Sequence, residues 1–247
     1  MVHWKKMRLE IKRFLKYLIV GSPLELTVRK LLPKPRYMNA IDFLGINMIF
    51  DIGANSGQFA LSTLQNGFTG DVISFEPTSA IYKRLIKNSQ KFSNWQIHER
   101  TAIGEMCGDT IINIAGNSAA SSSILPMGTQ HQESAPEANY VGSENVKLIT
   151  LDSVFNSYIR ENSKCFLKID VQGYEDQVLK GASDSIQKIN AVQLECSVVS
   201  LYEGDKTFEY YFDFFKKNGF ELFTMETGFS NPNTGQLLQF DALFVRK

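Results

Sequence analysis

No stretch of the 247 residues stays apolar for the roughly 18 positions that a membrane-spanning helix needs, so the sequence excludes a helical span. Cysteine is scarce. Cys107, Cys165 and Cys196 are odd in number, scattered and without metal-ligand spacing, which excludes a disulfide framework and predicts a reducing, cytoplasmic setting. Histidine is equally sparse. His98 lies in a strand pattern and His131 in a polar segment, and neither has the company of a metal site or a catalytic pair. Both are expected to be structural or exposed, and no metal is expected. An excess of one charge is also missing: 26 Lys and Arg balance 26 Asp and Glu, so no global field points to nucleic acid. No internal repeat is visible. What is present, 43% hydrophobic and 12% aromatic residues, suffices for one large domain with a full core.

The balanced total hides an asymmetry. Residues 1–37 hold ten basic residues against two acidic ones, a net +8, so the remaining 210 residues carry −8. Within this arm Trp4, Met7, Ile11, Phe14 and Leu18 recur at a spacing of three to four, which predicts an amphipathic helix ending at Gly21-Ser22-Pro23. Such a helix either lies on an anionic membrane surface, giving peripheral contact through residues 1–20 at the inner face, or packs its apolar stripe on the domain or a second subunit. Lys16 interrupts the apolar stretch and no small-residue cleavage site follows, so no signal peptide is expected. The division predicted is a basic arm over 1–40 and a catalytic domain over 41–247.

From residue 48 onward strand-like and helix-like segments alternate. Met48 to Phe50 read as a short buried strand, Gly57 to Gln65 as a helix, "DVISFEP" as a second strand, and 78–92 as a helix. "WQIHERTAI" reads as a third strand, and "TIINIAG" and "VKLITL" flank a polar stretch over 117–145. "CFLKIDV" and "AVQLECS" follow as buried strands, with a helix to about 189 between them. After a helix over 206–218, "FELFTME" and "LLQFDALFVRK" pair around "NPNTG". This alternation predicts an α/β fold, a mainly parallel sheet covered on both faces with an antiparallel pair at its end.

Ligands on such sheets bind at the carboxyl ends of the strands, where Asp51, Glu76, Asp170 and Glu195 all fall. The turn after the first strand reads Asp51-x-Gly53-x-Asn55-x-Gly57, a nucleotide-binding corner that a bare βα turn would also satisfy. It lacks the close glycines of G-x-G-x-x-G, which let backbone approach a pyrophosphate. Asp51 would sit badly beside a pyrophosphate and suits a cofactor with a cationic amino-acid tail. That favours S-adenosylmethionine over a nicotinamide dinucleotide. Glu76, ending the second strand, stands where a carboxylate accepts from both hydroxyls of a ribose.

"FDIGANSGQFA", "VISFEP", "AIGE", "SSSIL", "LITLDSV" and "LKIDVQGYEDQVLKGA", in order across about 48–246, resemble the FkbM family of S-adenosylmethionine-dependent methyltransferases. The resemblance implies a Rossmann-like class I methyltransferase fold with a seven-stranded sheet whose last strand is reversed. It implies that Asp51, Gly53, Asn55 and Gly57 border the methionine moiety, that Glu76 binds the ribose, and that Thr101 and Ala102 flank the adenine. It further implies a hydroxyl acceptor, on a sugar of a bacterial glycan or glycolipid or on a secondary metabolite. Gln172, where many members carry glutamate, is expected at the acceptor rather than as an acid or base. The serine run is open to two readings, a flexible loop or hydroxyls lining the acceptor pocket, and the resemblance favours the second for Ser122 and Ser123.

A hydroxyl acceptor must lose a proton. Asp170 is the first candidate base and Glu195 the second; the alternative for Asp170 is an ordinary cap on the helix beginning near Gly173. The polar stretch 117–145 reads as a lid. Methylation of protein or nucleic acid, or a nicotinamide oxidoreductase on the same fold, are the competing functions. Against nucleic acid stand the −8 core and "DVQG" in place of an Asn-Pro-Pro-Tyr motif.

Overall fold

The structure, a computed structural model, describes residues 34–247. The amphipathic helix expected over residues 1–20, with its membrane or packing role, lies outside the described residues.

Ten strands and seven α-helices are described. Helix α1 (Arg36–Leu44) leads into β1 (Met48–Ile52), α2 (Gln58–Gln65), β2 (Asp71–Phe75), α3 (Ser79–Ser89) and β3 (Trp95–Ile97). Next come β4 (Thr101–Ile103), β5 (Gly108–Ala115), α4 (Thr129–Ser134), β6 (Tyr140–Ile149), α5 (Leu151–Tyr158) and β7 (Cys165–Ile169). The chain closes with α6 (Glu175–Lys180), β8 (Ile189–Ser197), α7 (Phe208–Lys217), β9 (Phe220–Thr227) and β10 (Gln239–Arg246). Seven strands form one sheet in the order β3-β2-β1-β7-β8-β10-β9. All its pairings are parallel except those of β10, which runs antiparallel to both β8 and β9. This is the Rossmann-like methyltransferase arrangement, with the last strand of the chain reversed and inserted inside the edge strand β9.

Side chains alternate across the pleat, so one strand feeds two cores. Met48, Phe50 and Ile52 of β1 enter a core closed by Phe155 of α5 and Tyr211 and Phe215 of α7. Ile49 enters the opposite core, with Tyr37, Met38, Ala40 and Ile41 of α1, Ala60 and Leu64 of α2 and Leu85 of α3. Each fully buried Phe, Leu or Ile side chain contributes roughly 1.5–3 kcal/mol. Residues 36–40, assigned from sequence to the arm, are thus part of the domain's packing.

Two expectations are corrected. "WQIHERTAI" is not one strand: β3 stays in the main sheet, while β4 joins a second, three-stranded sheet in the order β4-β6-β5. The chain is turned between them because His98 packs on Phe75 and bonds Tyr158 Oη through Nδ1 at 2.7 Å, while Arg100 donates to the Pro77 carbonyl. The polar stretch is also shorter than 117–145, since β6 begins at Tyr140. The segment between β5 and β6 is anchored by a bridge between Met127 and Tyr202 and a small core of Met127, Ala135, Ala138, Leu201, Tyr202 and Leu238.

Candidate active site

Parallel register places a polar row across the middle of the sheet. Asp51 stands beside Ser74 on β2 and Lys168 on β7, and Asp241 on β10 beside Glu195 on β8. Ser74 Oγ donates to Asp51 Oδ2 at 2.9 Å and accepts from Trp95 Nε1 at 2.9 Å. Burial pushes the Asp51 carboxyl up to about 7, against the bond from Ser74 and the pull of Lys168. A buried carboxyl displaced this far in a cavity wall is a candidate functional group.

The turn beyond β1 holds its shape through glycine and asparagine. Gly53 has φ +76°, and a Cβ there would lie 1.9 Å from the Asp170 carbonyl oxygen, so the turn rides directly on the end of β7. Asn55 takes the left-handed conformation that asparagine tolerates, at φ +48°, and its Oδ1 accepts from Ser56 N at 2.7 Å. Its own N–H donates to Glu76 Oε2 at 2.9 Å. Glu76 Oε1 accepts from the backbone N–H and hydroxyl of Thr78. Burial raises the Glu76 carboxyl, opposed by these bonds.

A second cluster lies at the ends of β7 and β8. Gln172 Nε2 donates to Asp170 Oδ1 at 2.9 Å and to Glu195 Oε2 at 2.7 Å, and Gln172 Oε1 accepts from Tyr202 Oη at 2.8 Å. Burial, and then Asp170, push the Glu195 carboxyl well above its ordinary range. Lys168 Nζ bonds Asp241 Oδ1 at 2.9 Å and lies 3.7 Å from Asp170 Oδ2. Burial works against the Lys168 charge, but Asp241, Asp170 and Glu195 together raise its pKa above the usual lysine value. The helix-cap alternative for Asp170 is not realised. Tyr174 stands at the N-cap of α6, and Glu175 Oε1 instead fixes the turn before the helix, accepting from Val171 N at 3.1 Å and Gly173 N at 3.3 Å.

Both clusters open on one cavity of about 440 Å³, within the range of cofactor and ligand sites. Asp51, Gly53, Asn55, Glu76, Thr101, Ala102, Ser122, Asp170, Gln172 and Glu195 all line it. Gly57 and Ser123 do not. A Cβ on Gly57 would meet the Trp95 ring at 2.3 Å, so that glycine seats α2 against β3. Ser123 is buried, and its hydroxyl donates to the Gln172 carbonyl at 2.7 Å, so it holds Gln172 rather than an acceptor. Sequence reasoning missed Lys168, Tyr202 and the place of His131. A lysine inside the apolar run "CFLKIDV" was the available signal for the first; nothing local marked the other two. His131 is buried and lines the cavity from α4, its ring against Tyr202 and Phe229. Among the described residues no group of three or more His, Cys, Asp or Glu side chains is arranged to hold a metal ion.

An α/β sheet with a glycine-shaped turn, a buried carboxyl at the end of β2 and a cavity across the strand ends defines a nucleoside-cofactor enzyme. Residues 51–222 match the methyltransferase FkbM domain, and the chain belongs to that family. The matched region is thus a methyltransferase domain, and S-adenosylmethionine is the methyl donor expected from the sequence. The chain is 30% identical over 151 residues to the hexuronic acid methyltransferase AglP of Haloferax volcanii, covering 60% of this chain and 55% of that protein. It thus spans about half the length of that curated relative. Among solved structures, the methyltransferase FkbM of Methylobacillus flagellatus is 14% identical with a TM-score of 0.46, covering 80% of this chain and 43% of that one. TehB of Haemophilus influenzae is 10% identical with a TM-score of 0.47, covering 85% and 61%.

The donor set fits the methyl donor. Asp51, Glu76 and Glu195 are all displaced upward by burial, so the cavity carries carboxyls that a bound cation stabilises in their ionised form. Among the described residues no helix is long and apolar enough to cross a membrane.

Proposed function

We propose that the protein transfers a methyl group to a hydroxyl of a sugar, in a glycan, a glycolipid or a sugar-bearing secondary metabolite. The observation that carries this reading is the Asp170–Gln172–Glu195 cluster at the cavity wall, a proton acceptor beside the reaction space. The relative named for hexuronic acid supports a sugar acceptor.

S-adenosylmethionine supplies, when bound, an electrophilic methyl group on a sulfonium. The residues proposed to hold it are Asp51 with the Gly53–Asn55 turn at the methionyl end, Glu76 at the ribose, and Thr101 and Ala102 beside the adenine. The protein's main task is alignment and exclusion of water, since displacement at carbon from a sulfonium needs no activation of the leaving group. Asp170 Oδ2 takes the hydroxyl proton as the new O–C bond forms. Burial raises the Glu195 carboxyl well above its ordinary range, which disfavours its ionised form; Asp170 is therefore assigned as the base and Glu195 as its fixed neighbour. Gln172 keeps Asp170 oriented by donating to its other oxygen. Lys168, 3.7 Å away, stabilises the Asp170 carboxylate before transfer.

The test is methylation of bacterial surface-glycan extracts with and without the purified enzyme, read by mass spectrometry. A gain of one methyl mass on a glycan sugar is expected. A gain confined to protein or nucleic acid refutes the reading.

A further inference from the structure

The acceptor wall of the cavity is built by the segment between β5 and β6 and by the ends of β8 and β10. It bears Glu137 and Glu195 among carboxyls, and Asn117, Ser122 and Gln239 among neutral polar groups. Ser122 Oγ accepts from Ala115 N at 3.0 Å, which leaves its proton to donate. Phe229 and Tyr174 supply aromatic surface, on which the C–H face of a pyranose ring can rest. Among the described lining residues Lys168 is the only lysine or arginine. Its ammonium is already committed to Asp241 at 2.9 Å, with Asp170 at 3.7 Å, and its side chain is 7% exposed. Burial lowers the pKa of His131, the other basic side chain of the lining, and so disfavours its charged form.

We infer that the sugar ring received by this cavity is uncharged: a neutral hexose or N-acylated amino sugar presenting hydroxyls, and not a uronic acid. This rests on the sugar-hydroxyl reading above and departs from the acceptor in the name of the Haloferax relative. A uronate would bring its carboxylate into a space with no uncommitted lysine or arginine among the described lining residues. The wall carboxyl Glu195 reports the same hostility to negative charge, since burial and then Asp170 displace it upward. A neutral ring meets no such cost. Its hydroxyls find carboxyl, amide and hydroxyl groups, which are the usual readers of sugars.

The experiment compares surface-glycan extracts in native form and after carbodiimide–borohydride reduction, which converts uronic acids to neutral hexoses. The full chain and labelled S-adenosylmethionine are used with both. Incorporation that survives carboxyl reduction at equal or higher level, with the label on a neutral sugar as an alkali-stable ether, is expected. Incorporation that falls more than tenfold on reduction, or label found on a uronic acid, overturns the inference while leaving sugar methylation intact. No incorporation into either form, with label on protein or nucleic acid instead, refutes the sugar reading itself and the inference with it. Glu137→Lys supplies a second readout by placing a cation on the wall. It should shift the native-to-reduced incorporation ratio toward native glycan by on the order of tenfold. A ratio unmoved by that charge reversal counts against electrostatic selection.

Discussion

Gly53→Ala tests the contact on which the whole site is mounted. The added methyl meets two separate obstacles. The residue sits at φ +76°, where an L side chain costs roughly 1–2 kcal/mol. Its Cβ would also lie 1.9 Å from the Asp170 carbonyl oxygen and 2.8 Å from the carbonyl carbon, both backbone atoms that no rotamer change can move aside. Relieving such overlap by backbone shift costs typically about 1–3 kcal/mol, giving about 2–5 kcal/mol in all. For a domain of this size that corresponds to a fall in Tm of about 4–20 °C. Gly67→Ala is the matched control: φ is +99°, but nothing lies within 4 Å of the new methyl, so it carries the backbone cost alone. Scanning calorimetry of both variants isolates the clash, and titration with S-adenosylmethionine follows its consequence. Gly53→Ala should melt below Gly67→Ala and lose cofactor affinity at least tenfold, while Gly67→Ala binds as the parent does. If the two melt together and bind alike, the β1 turn does not rest on the end of β7, and the account of the site built on that contact fails.

Asp170→Asn keeps the shape of the group and removes its basicity, so turnover should fall about 10²–10⁴-fold while cofactor affinity, by calorimetry, changes only a few-fold; full activity with loss in Glu195→Gln would exchange the two roles. Glu76→Lys removes the proposed ribose acceptor and repels a cationic ligand, and calorimetry should detect no S-adenosylmethionine binding. In pH, Asp51 titrates at about 7 in the fold against an ordinary value of 3.8, and Glu175 at about 7 against 4.5. Raised folded values mean that the folded state binds the extra protons, so the stabilisation is complete below about pH 4 and is lost as pH rises to 7, at most ~4 kcal/mol for Asp51. The ligand-free protein should therefore melt higher at pH 5.5 than at pH 8, and a Tm that rises steadily over that interval would contradict the burial of these groups. Because a cationic ligand favours ionised Asp51, S-adenosylmethionine affinity should improve from pH 5.5 to pH 7.5 in the same titrations.

The main sheet was legible because period and burial agree along β1, β2, β7 and β8, each a short apolar run ended by a carboxylate. The parallel sense of most strands followed from alternation with helices, and the final hairpin from "NPNTG". What failed was local. "WQIHERTAI" reads as one strand because His98 and Arg100 look like alternating polar positions, yet both are drawn off by tertiary contacts with Tyr158 and the Pro77 carbonyl. Gly57 shares the spacing of a cofactor loop, but the demand for glycine there comes from Trp95, 38 positions later in the chain. Ser123 could not be told from Ser122 by type; only the pleat of the segment after β5 sends one hydroxyl to the Gln172 carbonyl and leaves the other at the cavity. Long-range geometry of this kind leaves no periodic trace.

Gln172 shows why an apparent departure from a family pattern is coherent with its surroundings. Its backbone is held at φ +56°, an uncommon conformation for this residue type, by the Ser123 hydroxyl on its carbonyl. Tyr202 then fixes the amide's orientation, because its hydroxyl donates to Oε1 and so turns both N–H bonds toward Asp170 and Glu195. A carboxylate in that place could not donate to either acid, and its added negative charge would press on Glu195, already raised by burial. The neutral amide lets two carboxyls share one wall by donating to both. Tyr202 comes from the loop after β8, Ser123 from the segment after β5, and Gln172 from the turn after β7. Three separate connections therefore converge on one amide, and the orientation of Asp170 depends on all of them.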